Sequence, residues 1–464
     1  MKLIDPALAV PAPLPRRVAL ISDHASPLAA PGSIDCGGQN VYVAQLAREL
    51  ALAGCAVDVF TRRDAPRQKQ VVAWHDDVRI VHVPAGPARH VPKESLLSCM
   101  PAFARFVVRF ARQQRQPYDI VHANFFMSGI VARQLKEALG IPFVITFHAL
   151  GQVRRLAQGA ADAFPLERAG IEAGLMRSAD RIIAECQQDR LDMETLYGTD
   201  PGRIAIVPCG FDPEELWPTD AAQARALLGL EPDRFTVLQL GRIVPRKGVD
   251  TVIEATALLR RRHGIDARLL VVGGDAPGAA ATATTATAAT AAATAGGAAD
   301  ELARGPVRDG PELARLRALA AALDIAGHVH FAGQRARSQL RHWYGAADAF
   351  ATTPWYEPFG ITPVEAMACA RPVIGAEVGG IKSTVVDGST GFLVPPRDPQ
   401  ALAERLLRLQ RDPRLARAMG AVGLRRAWRN YTWRTVARQL MAVYAAVLAD
   451  TRAPIDSPRQ QEQA

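Results

Sequence analysis

Lysine is scarce in this 464-residue chain. Only six of its 55 basic residues are lysines, so arginine supplies the other 49. The formal net charge of +9 is concentrated near the end, because residues 401–464 carry twelve arginines against five acids. The preceding 400 residues are close to neutral, which argues against a uniformly basic surface for nucleic acid. The scarcity of lysine makes each of the six slightly more interesting as a functional residue.

Cysteine and long apolar runs are also in short supply. The six cysteines are scattered without a CxxC pair, which fits neither a disulfide framework nor a zinc site. This usage predicts a reducing, cytoplasmic environment. No apolar run is long enough to span a membrane. Asp5 and several prolines interrupt the first residues, so residues 1–15 are predicted to be a flexible leader rather than a signal peptide.

Three catalytic motifs are missing. The chain has no Asp-x-Asp pair, so a metal that binds a nucleotide diphosphate has no obvious pair of carboxylate ligands. It also lacks HExxH and GxSxG, the motifs of zinc proteases and of α/β-hydrolases. We therefore expect neither a metal nor a cofactor.

Short apolar runs alternate with helical patterns almost throughout. Runs such as VALISD from Val18 and ARLLVVGG from Ala267 are typical of parallel strands buried on both faces. The pattern restarts after FDPEELWPTD, residues 211–220, which has the composition of a linker. The chain is therefore predicted to be an α/β protein with two doubly wound domains facing a cleft. The predicted boundaries are residues 16–212, residues 213–430, a crossover helix at 431–450 and a tail at 451–464.

One segment lacks the large apolar residues that a core needs. Residues 276–300 are nearly all alanine, threonine and glycine. We expect a disordered insertion here. The interspersed threonines and Gly296–Gly297 argue against the alternative that this segment forms a helix. A lid or partner-binding loop is the remaining alternative.

A glycine pair, Gly37 and Gly38, follows the first predicted strand and leads into a helix. Such a turn lets the backbone approach a phosphate, and the helix start offers free N–H donors. The spacing is not GxGxxG and no ribose-binding acid follows, which disfavours a nicotinamide dinucleotide site. Taken alone, the pair also fits an ordinary tight turn.

A second candidate is the turn GRIVPRKG, residues 241–248. Arg242 and Lys247 are five positions apart and can straddle a diphosphate, the arginine as a fork and the lysine as a point charge. The glycine count and final Ser/Thr of a Walker A motif are missing. The alternative is a solvated basic turn, which we expect for Arg246 more than for Lys247.

The most specific pattern is WYEPFGITPVEAMA, residues 355–368. Glu357 lies in a predicted loop and Glu365 within a helix, with Phe359 and Gly360 at the helix start, where N–H groups can bind hydroxyls or phosphate. Two carboxylates also suggest a glycosidase pair. A proline-rich loop followed by a helix of small residues favours recognition of hydroxyl groups instead.

Polar residues also follow predicted strands of the first domain. His148 closes the strand FVITFH, at the sheet edge where α/β enzymes place functional groups. A lone histidine is more often structural, so its position is what favours a role in the site. Asp23, His24, Asn124 and Phe125 also lie near strand ends and are candidate acceptor-side residues.

Taken together, these motifs resemble the retaining glycosyltransferases of family four, which have the GT-B fold. The segment GGQNVYVAQLAREL, residues 37–50, is similar to the sucrose-phosphate synthase and mycothiol glycosyltransferase branch. The similarity covers residues 16–450 apart from the Ala/Thr insertion. It implies two Rossmann-like domains facing a central cleft, with a C-terminal helix crossing back to the first domain.

The resemblance also implies an activity and its residues. The expected reaction moves a hexose from a nucleotide diphosphate sugar, preferably UDP-glucose, to an acceptor hydroxyl, with retained configuration and without a metal. The partners would be this donor and an unidentified acceptor, without nucleic acid. The implied catalytic residues are His148, Arg242, Lys247 and Glu357; those implied to bind the donor are Gly37, Gly38, Gly333, Gln334, Phe359, Gly360 and Glu365.

Alternatives stay open at this point. The donor could be UDP-N-acetylglucosamine, or the chain could bind a nucleotide sugar without transfer or act as an epimerase. The basic C-terminal region could touch an anionic membrane, although solvated helix faces are favoured. Two departures from the family stand out: Ala370 replaces a common glycine, and Glu185-Cys186-Gln187 replaces small hydroxyl residues near the expected cleft.

Overall fold

Two sheets, each covered by helices, follow one another along the chain. The computed structural model describes residues 14–29, 37–274 and 310–452. The first sheet contains β1 (Arg17–Ile21), β2 (Ala56–Arg62), β3 (Val71–His75), β4 (Val78–Val83), β5 (Ile120–Asn124), β6 (Phe143–Thr146), β7 (Arg181–Ala184) and β8 (Ile204–Ile206). The second contains β9 (Phe235–Leu240), β10 (Ala267–Val272), β11 (Val329–Gly333), β12 (Ala349–Thr352), β13 (Val373–Ala376) and β14 (Gly391–Val394).

Helices connect the strands and cover both sheets. Those of the first half are α1 (Gly38–Leu52), α2 (Met100–Arg112), α3 (Phe126–Leu139), α4 (Gly151–Gln158), α5 (Arg168–Ser178) and α6 (Gln187–Tyr197). Those that follow are α7 (Ala221–Leu227), α8 (Val249–His263), α9 (Pro311–Ala322), α10 (Arg337–Ala346), α11 (Ile361–Ala368), α12 (Ile381–Thr384), α13 (Pro399–Arg411), α14 (Pro413–Asn430) and α15 (Trp433–Arg452).

The first sheet has the strand order β3-β4-β2-β1-β5-β6-β7-β8. The register of its central strands is parallel, with Leu20 of β1 opposite Val59 and His122. These strands are buried on both faces, which explains their unbroken apolar runs. The edge strand β3 differs, because it pairs antiparallel with β4 and alternates in exposure. Strand β3 is not among the strands predicted from the sequence, although VVAWH begins with four apolar residues.

The second sheet has the order β11-β10-β9-β12-β13-β14 and is parallel throughout its described pairs. Strand order reverses between β9 and β12, as it does between β1 and β5 in the first sheet. The expected pair of doubly wound α/β domains is confirmed. Ligands bind such sheets at the carboxyl edge beside the reversal, so each sheet offers one binding edge.

The final helix returns to the first domain. Helix α15 packs against α1, and the Tyr444 hydroxyl lies 2.7 Å from Nδ1 of the buried His122 on β5. Arg181, at the start of β7, forms an ion pair of 2.9 Å with Asp450. The predicted crossing of the C-terminal helix is therefore confirmed.

The connection between the domains is tightly packed rather than a loose linker. Phe211 and Leu216 are fully buried. The Phe211 N–H donates to the Tyr431 carbonyl at 2.8 Å, and the Trp433 N–H donates to the Phe211 carbonyl at 3.1 Å. The segment around Phe211 and the segment around residues 431–433 are thus hydrogen-bonded to each other where the domains meet. The exact domain boundaries stay a prediction.

Several sequence expectations fall outside the described residues. The predicted leader is described only at residues 14 and 15, and the predicted tail only at residues 451 and 452. The Ala/Thr insertion at 276–300 lies wholly outside.

Candidate active site

Loops after β9 and β12 meet at the reversal point of the second sheet. Gly248 has a φ of +64°, and a Cβ added there would lie 2.0 Å from the Thr353 carbonyl oxygen. The Thr353 hydroxyl donates to the Gly248 carbonyl at 2.7 Å. Only glycine allows this approach. Gly248, the last residue of GRIVPRKG, therefore lets the turn that carries Lys247 pack directly against the loop after β12.

Lys247 and Glu357 form an ion pair in this corner. Nζ of Lys247 donates to Oε2 of Glu357. Burial lowers the pKa of Lys247, although Glu357 beside it opposes the shift. Burial acts to raise the pKa of Glu357, but the charges of Lys247 and Arg246 outweigh it and hold this pKa below its usual value. The two groups are therefore fixed side by side, with the Glu357 carboxylate ionised at neutral pH.

Arg246 belongs to the same cluster, contrary to the expectation of a solvated turn. Its guanidinium lies 4.0 Å from Oε2 of Glu357 and donates to the Tyr356 carbonyl at 3.3 Å. Arg242 is exposed in the loop after β9, close enough for its charge to lower the pKa of Lys247. Two cations thus flank the Glu357 carboxylate and a third lies near Lys247, an arrangement suited to an anionic ligand.

The start of α11 completes this corner. Gly360 caps the helix with a φ of +87°. A Cβ added at Gly379 would lie 1.9 Å from the Glu357 carbonyl oxygen, and one at Gly380 would lie 2.3 Å from the Phe359 carbonyl oxygen. The loop that carries Glu357 therefore packs tightly against the turn after β13. This contact positions the Glu357 carboxylate beside the start of α11.

Glu365 lies deeper and is fully engaged with neighbouring side chains. It is 2 % exposed. The Tyr344 hydroxyl donates to one carboxylate oxygen at 2.9 Å, and Arg337 donates to the other at 3.2 Å. Arg337 also bonds Glu215 at 2.8 Å. The expected contact between Glu365 and a donor stays a prediction.

Glycines bring three strand ends together at the carboxyl edge of the second sheet. A Cβ at Gly273 would lie 1.8 Å from the Gly241 carbonyl oxygen. The Gly273 N–H donates to the Gly333 carbonyl at 3.0 Å, and Gln334 lies beside Gly274. The sequence-predicted pair Gly333–Gln334 is therefore on the same edge as the Lys247 turn.

His148 stands at the corresponding edge of the first sheet. Its Nδ1 lies 2.8 Å from Glu185 Oε1 and its Nε2 lies 3.1 Å from Asn124 Oδ1. The Tyr42 ring packs edge-on against it, with centroids 4.8 Å apart. His148 has a φ of +57°, rare for a residue with a side chain. Glu185, noted in the sequence only as a departure from the family, thus holds the imidazole in place.

Asp23 and His24 form a neighbouring group after β1. The Ser128 hydroxyl donates to Asp23 at 2.6 Å, and His24 Nδ1 lies 2.9 Å from the same carboxylate. The His24 ring packs edge-on against Phe125, with centroids 5.0 Å apart. Asp23 is therefore a buried anchor, while Asn124 is the member of the candidate acceptor set that contacts His148 directly.

The Gly37–Gly38 turn faces the second domain. Asn40 accepts the Gly37 N–H at 2.9 Å. A Cβ at Gly38 would lie 3.4 Å from Cδ1 of Ile361, the first residue of α11. The Cys186 thiol lies 3.4 Å from the Pro358 carbonyl. The predicted glycine turn and the Glu357 loop thus approach one another across the cleft.

Comparison with known proteins decides the family. Residues 36–215 match the family described as Glycosyltransferase Family 4, and residues 220–426 match Glycosyl transferases group 1. The chain belongs to the family 4 glycosyltransferases. This confirms the resemblance drawn from the motifs, and nucleotide-sugar-dependent glycosyl transfer is the activity of the chain.

Full-length relatives agree with this assignment. D-inositol 3-phosphate glycosyltransferase of Kineococcus radiotolerans is 36% identical over 94% of this chain and 97% of its own length. The enzyme of the same name from Acidothermus cellulolyticus is also 36% identical, over 94% and 92% of the two chains. Both relatives therefore cover the two domains together.

Solved structures share the architecture. Sucrose-phosphate synthase from Thermosynechococcus elongatus superposes with a TM-score of 0.80 at 31% identity, covering 94% of this chain and 100% of its own. Anabaena HepE in complex with UDP-glucose reaches 0.68 at 20% identity, covering 93% and 99%. The fold is GT-B, as expected.

The described residues contain neither a membrane-spanning helix nor a cluster of metal-ligating side chains. Among them, no helix is long and apolar enough to cross a membrane. Within the same residues, no group of three or more His, Cys, Asp or Glu side chains is arranged to hold a metal ion.

Proposed function

We propose that the chain transfers glucose from UDP-glucose to an acceptor hydroxyl with retention of anomeric configuration and without a metal. The ion pair between Lys247 and Glu357 at the start of α11 carries this proposal. In this pair, a cation that can neutralise a diphosphate lies beside a carboxylate that can bind sugar hydroxyls. Support for the donor comes from HepE, whose structure contains UDP-glucose, and from the similarity to sucrose-phosphate synthase.

In this proposal the second domain binds the donor. Arg242 and Lys247 neutralise the diphosphate, and Glu357 binds sugar hydroxyls with help from the backbone of Phe359 and Gly360. The remaining contacts are Glu365 to the ribose, Gly333 and Gln334 beside the base, and Gly37 and Gly38 near the phosphate from the opposite domain. A Cβ at Gly37 would meet nothing within 4 Å and one at Gly38 would make only a 3.4 Å contact with Ile361, so little protein covers this turn.

The chemical step depends on stabilising charge at the leaving group. The bond from the anomeric carbon to the diphosphate oxygen breaks while the acceptor oxygen bonds to the same face of the sugar. The leaving phosphate takes the proton of the acceptor hydroxyl. Because negative charge grows on the diphosphate, preorganised cations contribute most in the transition state. His148, held by Glu185 and Asn124, lies beside the reacting carbon in this arrangement.

The acceptor is proposed to be a sugar or cyclitol hydroxyl. Relatives at 36% identity are named for D-inositol 3-phosphate, and a structural neighbour is named for sucrose phosphate. In this proposal the acceptor side is the edge of the first domain near the strand ends that carry Asp23, His24, Asn124 and Phe125. A reducing, cytoplasmic setting is part of the proposal, since Cys55, Cys99, Cys186, Cys209 and Cys369 are unpaired.

A panel of isotopically labelled nucleotide sugars tests the donor. UDP-glucose, UDP-N-acetylglucosamine, GDP-glucose and ADP-glucose are incubated with candidate acceptors, and release of the nucleotide is followed with and without EDTA. We expect UDP-glucose to be used fastest, EDTA to have no effect, and NMR of the product to show the donor's anomeric configuration. Preference for another donor, EDTA sensitivity or an inverted product would each refute the matching part of the proposal.

A further inference from the structure

Lys382 is one of the six lysines, and it lies where the two domains face each other. It is the second residue of α12, the short helix that follows the turn of Gly379 and Gly380. Its Nζ donates to the Gln188 amide oxygen at 2.8 Å, and Gln188 belongs to α6 of the first domain. This hydrogen bond therefore joins the two domains. The proposed donor contacts do not use it.

The Gln188 amide is oriented from both of its ends. Its nitrogen donates to Oδ1 of Asp192 at 2.8 Å, one turn further along α6, while its oxygen accepts from Lys382. Burial raises the pKa of Asp192, and the Gln188 hydrogen bond and the charge of Lys382 both oppose this rise. Reversing the amide would set its nitrogen against the ammonium. Lys382, Gln188 and Asp192 are called the interdomain bridge below.

The second-domain end of the bridge is tied to the loop that carries Glu357. The Gly380 N–H donates to the Glu357 carbonyl at 3.1 Å. Ile381 is fully buried, and a Cβ added at Gly360 would lie 3.2 Å from its Cγ1. Lys382 follows directly in the chain. A displacement of α12 would therefore also displace the backbone that positions Glu357.

The first-domain end of the bridge is tied to His148. The Cys186 thiol caps α6 by accepting the Asp189 N–H at 3.3 Å. The Asp189 carboxyl in turn accepts the Glu185 N–H at 3.0 Å, and the Glu185 carboxylate lies 2.8 Å from Nδ1 of His148. The first turn of α6, which contains Gln188, and the residue that holds the imidazole are thus one hydrogen-bonded unit.

We propose that Lys382 is a positioning residue, which through Gln188 and Asp192 holds the two halves of the site at the separation that the reaction needs. The inference rests on the proposed function, in which Glu357 and His148 act on the same donor sugar. These two residues belong to different domains, so their separation depends on contacts that cross the cleft. The interdomain bridge is such a contact, and it is attached to the local structure around each of them.

The exposure of Lys382 limits the strength of the bridge. An exposed charged pair changes an equilibrium constant by up to about fivefold, because water competes for both groups. The bridge therefore favours one separation of the domains without making it permanent. This suits an enzyme that must admit substrates and release products in every cycle.

Removal of the cation tests the inference. Lys382→Ala should lower kcat/KM for transfer about 3- to 5-fold. The Kd of UDP, measured calorimetrically, should stay within about 1.5-fold, because the proposed diphosphate contacts are untouched. Lys382→Arg keeps a long cationic donor and should recover kcat/KM. Unchanged kcat/KM in Lys382→Ala, or a loss of UDP binding that matches the loss of kcat/KM, would overturn the inference.

Arg190→Ala is the matched control for this change. Arg190 forms an ion pair with Glu194 at 2.6 Å, but both residues lie on α6 and their contact does not cross the cleft. This variant should keep kcat/KM within about 1.5-fold of the unmodified protein. A loss equal to that of Lys382→Ala would show that any change of surface charge here has the same effect, and would contradict the bridge.

Exchange of the polar groups separates the bridge from a direct contact between Lys382 and substrate. Lys382→Glu sets a carboxylate against the Gln188 oxygen and near Asp192, so it should lower kcat/KM more than Lys382→Ala. Adding Gln188→Lys restores a charged hydrogen bond of reversed direction, and the new ammonium also faces Asp192. The double variant should recover most of the loss. No recovery would show that Lys382 acts on the substrate itself and would overturn the inference.

Small-angle X-ray scattering keeps the bridge testable if the proposed donor is wrong. Without ligand, the radius of gyration should be larger for Lys382→Glu than for the unmodified protein, and Gln188→Lys should reverse the increase. This order of radii, with no use of UDP-glucose by the unmodified protein, would contradict the donor and support the bridge. Use of UDP-glucose with equal radii and equal kcat/KM in all three proteins would do the reverse.

Discussion

Lys247 stands out because it pairs with Glu357 and because lysine is scarce in this chain. In a chain with six lysines, it is the one whose ammonium is paired with Glu357 at the sheet's reversal point. Arginine at this place would need room for a planar fork, whereas the compact ammonium fits the glycine-bounded turn. The charge of the site is therefore local and owes nothing to the basic C-terminal region.

Lys247→Ala should lower kcat by roughly 10²–10³, the scale for removing one preorganised group that stabilises transition-state charge. The matched control is Lys136→Ala, which breaks an ion pair with Asp180 in the first domain, away from the cleft. Turnover with UDP-glucose is measured beside circular dichroism. Near-normal turnover in a folded Lys247→Ala protein would refute the assigned role.

Ala370 shows a departure from the family that carries a structural cost. Its φ is +58°, in the left-handed region that costs a residue with a Cβ about 1–2 kcal/mol. Ala370→Gly should therefore raise the free energy of unfolding by about 1 kcal/mol. Ala368→Gly, two residues earlier and helical, should lower it. Urea unfolding gives the free energy of unfolding of both variants. A lower value for Ala370→Gly than for the unmodified protein would contradict this prediction.

At the scale of elements, the start of α11 is positioned by a neighbouring turn. Gly379 presses against the Glu357 carbonyl, so no side chain fits between the loops after β12 and β13. The position of the Glu357 carboxylate is thus set by backbone packing rather than by its own bonds alone.

Gly379→Ala should displace the Glu357 loop and lower kcat/KM for the donor by about 10-fold or more, since misplacement by about 1 Å can cost 10² in rate. Gly388→Ala is the matched control. Gly388 also has a positive φ, +72°, but a Cβ there meets nothing within 4 Å. Both variants should lose some stability from backbone strain, and only Gly379→Ala should alter donor kinetics. Equal effects of Gly379→Ala and Gly388→Ala on donor kinetics would show that backbone strain alone causes the loss and would contradict this prediction.

The strands that could be predicted from the sequence are those buried on both faces. Strands such as VALISD and ARLLVVGG were recognisable because both faces are covered, which forces continuous apolar sequence. Strand β3 was not predicted because it is an antiparallel edge strand that joins β4 without a helix between them, outside the alternation of strands and helices that marks the other strands. The site residues on strand ends were recognisable, but the partners Arg246, Glu185 and Arg337 were not. Their contacts join residues far apart in sequence, and no local pattern encodes such pairs.

At the scale of the whole molecule, His122 ties the first sheet to the end of the chain. It is buried on β5 between the Tyr444 hydroxyl at 2.7 Å and the Thr146 hydroxyl at 2.8 Å. Burial, with a smaller contribution from the charge of His148, lowers the pKa of His122 to about 3. The native state therefore holds this ring neutral.

Stability should fall as pH drops from about 6.5 towards 3, because the unfolded chain binds a proton at His122 that the native state does not. The contribution of one such group approaches about 1.4 kcal/mol per pH unit within this window. Urea unfolding at several pH values measures it. His122→Gln, which cannot titrate, should be less stable at pH 7 but show a shallower acid slope; an unchanged slope would contradict the assignment.

The return of α15 to the first domain also constrains the order of synthesis. Helix α1 ends at Leu52, whereas its partner α15 begins only at Trp433. At typical elongation rates of about 5–20 residues per second, roughly 20–75 s separate the two on the ribosome. For that time Tyr42, Leu46 and the rest of that face have no C-terminal helix to cover them. The nascent first domain therefore exposes this apolar face until the C-terminal helix has emerged.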